Sequence, residues 1–137
     1  MGKVVRISDA ATLAIHAMKV MSVNTGKTLS VTQMAERLKV SEAHLAKVLQ
    51  RLTRAKLVKS VRGPGGGFKL GRTAEKVSLS EIYETIEGPL EVVGCLLGEP
   101  VCPESTCELS VKLIEAQAAI KKYLSETTLA THKGQAV

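Results

Sequence analysis

The run Leu57-Val58-Lys59-Ser60-Val61-Arg62-Gly63-Pro64-Gly65-Gly66-Gly67-Phe68-Lys69-Leu70 decides how the rest of the chain is read. Two short stretches of strand-forming residues flank five residues of glycine and proline, and that order reads as strand, tight turn, strand. The glycines let the backbone take positive φ and approach another surface closely. The loop lacks the Gly-Lys-Ser/Thr ending of a nucleotide-binding P-loop, and no helix follows it directly, which argues against a nucleotide site. Arg62 and Lys69 flank the tip, within reach of a phosphate backbone or a minor groove.

Immediately upstream the pattern changes to helix. Ser41 is a good N-cap, Glu42 suits the first turn, and Leu45, Val48, Leu49 and Leu52 recur at helical spacing, so one face is buried. The opposite face carries His44, Lys47, Gln50, Arg51 and Arg54. A shorter helix from about Val31 to Leu38 precedes it across a tight turn at Lys39-Val40. Two short helices, the second basic on its free face, followed by a hairpin, match a winged helix-turn-helix. The residues expected to meet DNA are Ser41, His44, Lys47 and Arg51 on the helix, with Arg62, Gly65 and Lys69 on the wing.

Charge separates along the chain in the same sense. Residues 1–76 hold fifteen Lys/Arg against four Asp/Glu, while residues 77–137 hold four Lys against nine Glu. A polyanion partner therefore belongs to the first half. Phe68, Tyr83 and Tyr123 are the chain's aromatic residues. So few aromatics weigh against base-stacking single-strand binding and favour a helical core of Leu, Val, Ile, Met and Ala.

The remaining segments read as further helices. Residues 8–22 form the first, capped by Ser8 or Asp9, and Asn24-Thr25-Gly26 breaks it. Ser78 to Glu87 form another, ended by Gly88-Pro89. The last runs from about Cys107 to Glu126, where Leu109, Leu113, Ala116, Ile120, Tyr123 and Thr127 make a heptad-like seam that suits a dimer interface. Residues 128–137 read as a polar, frayed tail. The organisation expected is thus a DNA-binding unit at 1–76, a loop and dimerisation helix at 77–127, and a tail at 128–137.

Cys95, Cys102 and Cys107 lie in the irregular stretch before the last helix. An odd number of clustered cysteines is a poor disulfide framework. Soft thiolates suit an iron–sulfur cluster, zinc or Cu(I), and a metal-free thiol switch or incidental cysteines are the other readings. No nucleophile–base pair, paired carboxylates or HExxH helix is present, so enzymatic activity is not expected. No apolar run approaches the length of a membrane span and no signal-peptide layout is seen, so a cytoplasmic protein with no membrane partner is expected.

Taken together, the run from Leu57 to Gly71 resembles the wing signature of the IscR/NsrR family of bacterial transcription regulators. Ser41 to Leu52 is similar to that family's recognition helix, and Ser80 to Gly88 to the helix after the wing; the likeness covers residues 1–127. The resemblance implies a mainly α fold with a small β-hairpin, a winged helix-turn-helix homodimer whose long C-terminal helices cross at the two-fold axis. It implies a repressor or activator on a double-stranded, pseudo-palindromic operator, sensing redox state, nitric oxide, or iron and cluster supply.

Cluster-binding members hold a 2Fe–2S or 4Fe–4S group in the loop before the last helix. Here that implies Cys95, Cys102 and Cys107 as ligands. The family's His three residues after the last cysteine is replaced by Ser110, and Asp9 stands where the NsrR-like branch supplies a fourth ligand from the other subunit. Cys102 is shifted by one position from the family's usual spacing, which leaves the cluster type open. The alternative is a metal-free regulator of the same fold, controlled by a partner protein, a small effector or thiol oxidation.

Overall fold

Ser8, Ser30, Ser41 and Ser78 each stand one residue ahead of a helix, and each side-chain oxygen accepts a backbone N–H three residues on, at 3.1, 3.1, 3.2 and 3.1 Å. Each cap satisfies one of the four donors that a helix start leaves orphaned. Ser30 with Gln33 and Ser78 with Glu81 complete reciprocal capping boxes. The computed structural model describes residues 4–99, 101 and 107–132. Its elements are α1 (Asp9–Val23), α2 (Val31–Leu38), α3 (Glu42–Arg54), β1 (Val58–Val61), β2 (Gly67–Leu70), a 3-10 turn at Ala74–Lys76, α4 (Leu79–Glu87) and α5 (Glu108–Glu126).

The core is built around α1. Ala11, Ala14, Ala17 and Met18 are fully buried, and α1 packs against α2, α3, α4 and β2. Small residues on one helix face let neighbouring backbones come close, while Met18 and Met21 fill the irregular space between them. Leu45, Val48, Leu49 and Leu52 of α3 point into the same core, as the helical spacing requires.

Both turns that frame α3 use left-handed residues. Lys39 (φ 56°) closes α2, with the Val40 N–H donating to Ala35 O at 3.1 Å. Lys56 (φ 62°) closes α3, with the Leu57 N–H donating to Leu52 O at 3.1 Å. These six-residue closures satisfy carbonyls at the helix ends and turn the chain sharply into its next element.

β1 and β2 pair antiparallel, with Val58 opposite Leu70, Lys59 opposite Lys69 and Ser60 opposite Phe68. Leu29 adds an isolated antiparallel bridge to Phe68. Its N–H donates to Phe68 O at 2.9 Å and its O accepts from Phe68 N–H at 2.8 Å. The segment before α2 therefore holds the wing from its outer edge.

Two differences from the sequence-based expectation concern the C-terminal part. The frayed tail expected at 128–137 is corrected for residues 128–132, because Leu129 is buried in the core and its N–H donates to Val77 O at 2.9 Å. The Leu79 N–H donates to Thr127 O at 2.9 Å, and the Lys19 Nζ donates to Leu129 O and His132 O at 3.0 and 2.6 Å. One leucine finding an apolar socket outweighs the polar composition around it. The Lys19 bonds cross the boundary expected at 76/77, while the bonds at Val77 and Leu79 join the segment after the wing to the end of α5. Among the described residues no helix is long and apolar enough to cross a membrane.

The Leu29 bridge dictates a residue type. Gly67 has φ +153°, and a Cβ there would lie 2.4 Å from Leu29 O. Gly67→Ala is expected to break the bridge and cost about 1–3 kcal/mol. Thermal unfolding and amide exchange of Leu29 and Phe68 would read this; wild-type values for both would contradict the packing described.

Candidate DNA-binding surface and cysteine segment

The residues expected to meet DNA lie on α3 and on the wing, in the basic half of the chain. Ser41, the N-cap of α3, is exposed, as are His44 and Lys47 in the first two turns. Arg62, Gly65 and Lys69 are exposed on the wing. The wing's tip is held in place by Thr28, whose hydroxyl donates to Gly65 O at 2.6 Å. Gly65 takes φ 72° at that position. Thr28 is a positioning residue that the sequence pattern did not reveal, since its partner lies 37 residues away.

The ion pairs among the described residues are Arg72–Glu81 at 3.1 Å and Lys112–Glu115 at 3.3 Å. Lys47, Arg62 and Lys69 are in neither. Lys59 and Lys69 stand directly opposite on the wing. Like charges so placed oppose each other, and such an arrangement becomes favourable when a polyanion lies across both.

Arg51, expected to meet DNA, is exposed and also makes an intramolecular contact. Its Nη2 donates to Thr85 O and Ile86 O at 3.2 and 2.6 Å. One nitrogen of its guanidinium is thus engaged by the end of α4. Glu87, the last residue of α4, accepts from both the backbone N–H and the hydroxyl of Ser8. The Tyr83 hydroxyl donates to Arg6 O at 2.8 Å. Burial, then the charge of Glu87, pushes the Tyr83 pKa up, which keeps the phenol a donor.

Residues 88–99 leave α4 without regular secondary structure. They are fastened to α5 by Gln117, which is 1% exposed. Its Nε2 donates to Val93 O at 2.7 Å and to Leu113 O at 3.0 Å, and its Oε1 accepts from Val93 N–H at 3.2 Å. A side-chain amide here does the work of a neighbouring strand. Cys95 follows two residues later, half-buried, with its Sγ 3.6 Å from Glu99 O.

Cys107 is exposed at the N-cap of α5, where a helix N-terminus favours anionic sulfur. Cys102 lies outside the described residues. Asp9 is exposed in the first turn of α1 and lines a hollow of about 440 Å³ with Thr12, Leu13, His16, Leu38, Val40 and His44. His16 is exposed, with its Nδ1 2.7 Å from Thr12 O. Among the described residues no three His, Cys, Asp or Glu side chains converge as a metal site. The donors seen, two thiols flanking a loop, fit a soft metal centre in chemistry and do not by themselves complete one.

A helix-turn-helix whose recognition helix is followed by a pinned, basic wing defines a winged helix-turn-helix DNA-binding protein. Residues 7–132 match the Rrf2 family, described as an iron-dependent transcriptional regulator, and the chain belongs to that family. It is similar to the HTH-type transcriptional regulator IscR of Sodalis glossinidius, at 27% identity over 126 residues, covering 91% of this chain and 76% of that protein. Among solved structures it resembles CymR, the global cysteine regulator of B. subtilis (TM-score 0.75, 27% identity, 93% of this chain and 95% of that one). The IscR of T. potens shares the fold, with TM-score 0.72 and 24% identity over 93% of this chain and 85% of that one. The chain is accordingly a DNA-binding transcription regulator.

The Gln117 clasp makes a measurable statement about the cysteine segment. Gln117→Leu keeps the volume and removes both bonds to Val93. Amide exchange at Val93 is expected to rise roughly tenfold, the equivalent of about one lost hydrogen bond. Unchanged exchange at Val93, with α5 still helical, would show that the segment is held by other means.

Proposed function

We propose that the chain acts as a homodimer on a pseudo-palindromic DNA operator, with operator affinity set by an iron–sulfur cluster at the 95–107 cysteine segment. Cys95, Cys102 and Cys107 would hold the 2Fe–2S or 4Fe–4S group, with the partner subunit's Asp9 as a fourth ligand. When bound, the cluster would supply a centre whose oxidation, nitrosylation or loss changes local charge and geometry.

The observation that carries the reading is the arrangement of α5. Its inner face meets α4 and the Val93 segment, while Leu109, Ala116, Ile120 and Tyr123 form a stripe facing solvent. Leu109 and Tyr123 are 57% and 54% exposed. Such a stripe wants a partner helix, and a second α5 would bring both cysteine segments close to the two-fold axis. Leu96, Leu97 and Val101, all exposed, would then have apolar surface to cover.

In docking, Ser41, His44 and Lys47 would face the major groove and its flanking phosphates, while Arg62, Gly65 and Lys69 would place the wing on the backbone. Of the sequence-based set, Arg51 is assigned here to an intramolecular contact with the end of α4. Two recognition helices related by a two-fold axis would meet half-sites about one helical turn, roughly 34 Å, apart. The gating follows from linkage, since a group that binds one arrangement of the cysteine segment better shifts the population toward it.

A second reading keeps the dimer and the DNA contacts but replaces the cluster by reversible thiol oxidation or an effector. The similarity to CymR and the place of Cys107 at a helix N-terminus favour it as the alternative.

Anaerobic purification followed by visible absorption, with iron and sulfide counted per dimer, separates the two. Broad absorption with matched iron and sulfide is expected, and it should vanish in the Cys95→Ser variant. A protein still colourless after reconstitution would leave the thiol reading. Replacing Ile120 and Tyr123 together by Glu is expected to give monomers by sedimentation and to weaken operator binding. Lys47→Ala and Arg62→Ala, each removing one phosphate contact per subunit and so two per dimer, should each reduce the salt dependence of binding by about 1.8 in log–log slope. Unaltered slopes in both would contradict the docking.

A further inference from the structure

The last turn of α4 gathers contacts from three functional parts of the molecule. Its carbonyls at Thr85 and Ile86 accept from Arg51 of the recognition helix. Its Glu87 carboxylate accepts from Ser8, the N-cap ahead of Asp9. The chain leaving it at Gly88 runs directly into the segment that carries Cys95.

The electrostatics single out the Arg51 contact. A helix end exposes unpaired carbonyls and a partial negative charge, and a cation near it is stabilising. α4 has no basic residue in its last turn. The cation is supplied across the interface by α3, from a residue 34 and 35 positions earlier in the chain. α3 carries Arg51 and Arg54 in its own last turn, so capping its own end does not require Arg51.

We infer that Arg51 is a positioning residue, which by capping α4 fixes the recognition helix to the helix end from which the cysteine segment departs. Displacement of residues 88–95 then acts on the recognition helix through the Thr85 and Ile86 carbonyls. This rests on the docking proposed above for the sense in which α3 matters, but the contact itself is a property of the free protein.

The test uses the full chain and a duplex enriched from random sequence by the wild-type protein. Arg51→Met, Arg51→Lys and Lys47→Ala are compared in operator affinity across a salt series. Amide exchange over residues 42–54 and 85–93 is followed without DNA. Arg51→Met is expected to weaken binding several-fold with an unchanged salt slope, and to speed exchange at Gly88 to Val93. Lys47→Ala, which removes two phosphate contacts per dimer, should lower the slope by about 1.8 and leave exchange alone.

Arg51→Lys keeps the charge but not the planar donor that bridges two carbonyls. It should therefore show the exchange effect in reduced form, with the wild-type slope. It decides the matter should Arg51→Met lose its cooperative melt. A lowered slope with wild-type exchange in Arg51→Met would make Arg51 a phosphate contact and overturn the inference. Wild-type exchange and affinity in both Arg51 variants would overturn it as well. An unchanged slope in Lys47→Ala would instead count against the docking, and the exchange data would still judge the Arg51 strut.

Discussion

Burial of α1 is the constraint on which the other elements depend. Seven of its fifteen residues are buried, and its alanine face leaves little tolerance in the distance to its neighbours. α3, α4 and β2 all pack on it, so the pose of the recognition helix and the base of the wing are referred to one helix. The basic surface is therefore carried on a packed frame, while residues 91–99, beyond the buried Leu90 and with no regular structure, contribute no residue to the core. A regulator needs that division: stiffness where DNA is read and compliance where a signal arrives.

Most of this frame is written in local sequence. Serine caps, helical spacing of apolar residues and the glycine-rich turn are short-range signals, and the element bounds follow them within a residue or two. What the sequence did not disclose is pairing over distance. Arg51 has the spacing of a surface cation on α3, and nothing near it in the chain announces that its partners are carbonyls of α4. Leu129 is one apolar residue in a polar stretch, and only the socket beside Val77 gives it meaning. Gln117 reads as an ordinary helix-surface amide until Val93 is set beside it.

The heptad pattern on α5 was legible but composite. Leu109, Ala116, Ile120 and Tyr123 look outward, while Leu113, Gln117 and Leu124 turn toward α4 and the Val93 segment. On a helical wheel of about 100° per residue these stripes adjoin, with Leu113 at their border. Apolar spacing alone does not separate the surface that packs within a chain from the surface left over for another. The wing's glycines show the same limit in the backbone. Gly66 and Gly67 are needed because a Cβ would come within 2.4 Å of Val61 O and Leu29 O respectively, and neither acceptor is visible from the loop's own residues.

The choice of an amide at position 117 follows from what must be held. An apolar side chain there would bury as much surface and would attract the loop without fixing where along α5 it sits. Gln117 accepts from the N–H and donates to the carbonyl of the same residue, Val93, so it specifies one register and one orientation. A buried amide costs free energy when unsatisfied, which makes every shifted arrangement of the loop worse than the paired one. The clasp therefore acts less by adding stability than by fixing one register of the loop on α5. On the function proposed above, a register so defined is what a signal at Cys95, two residues further on, would need for a small change in the loop to become a discrete change at the end of α4.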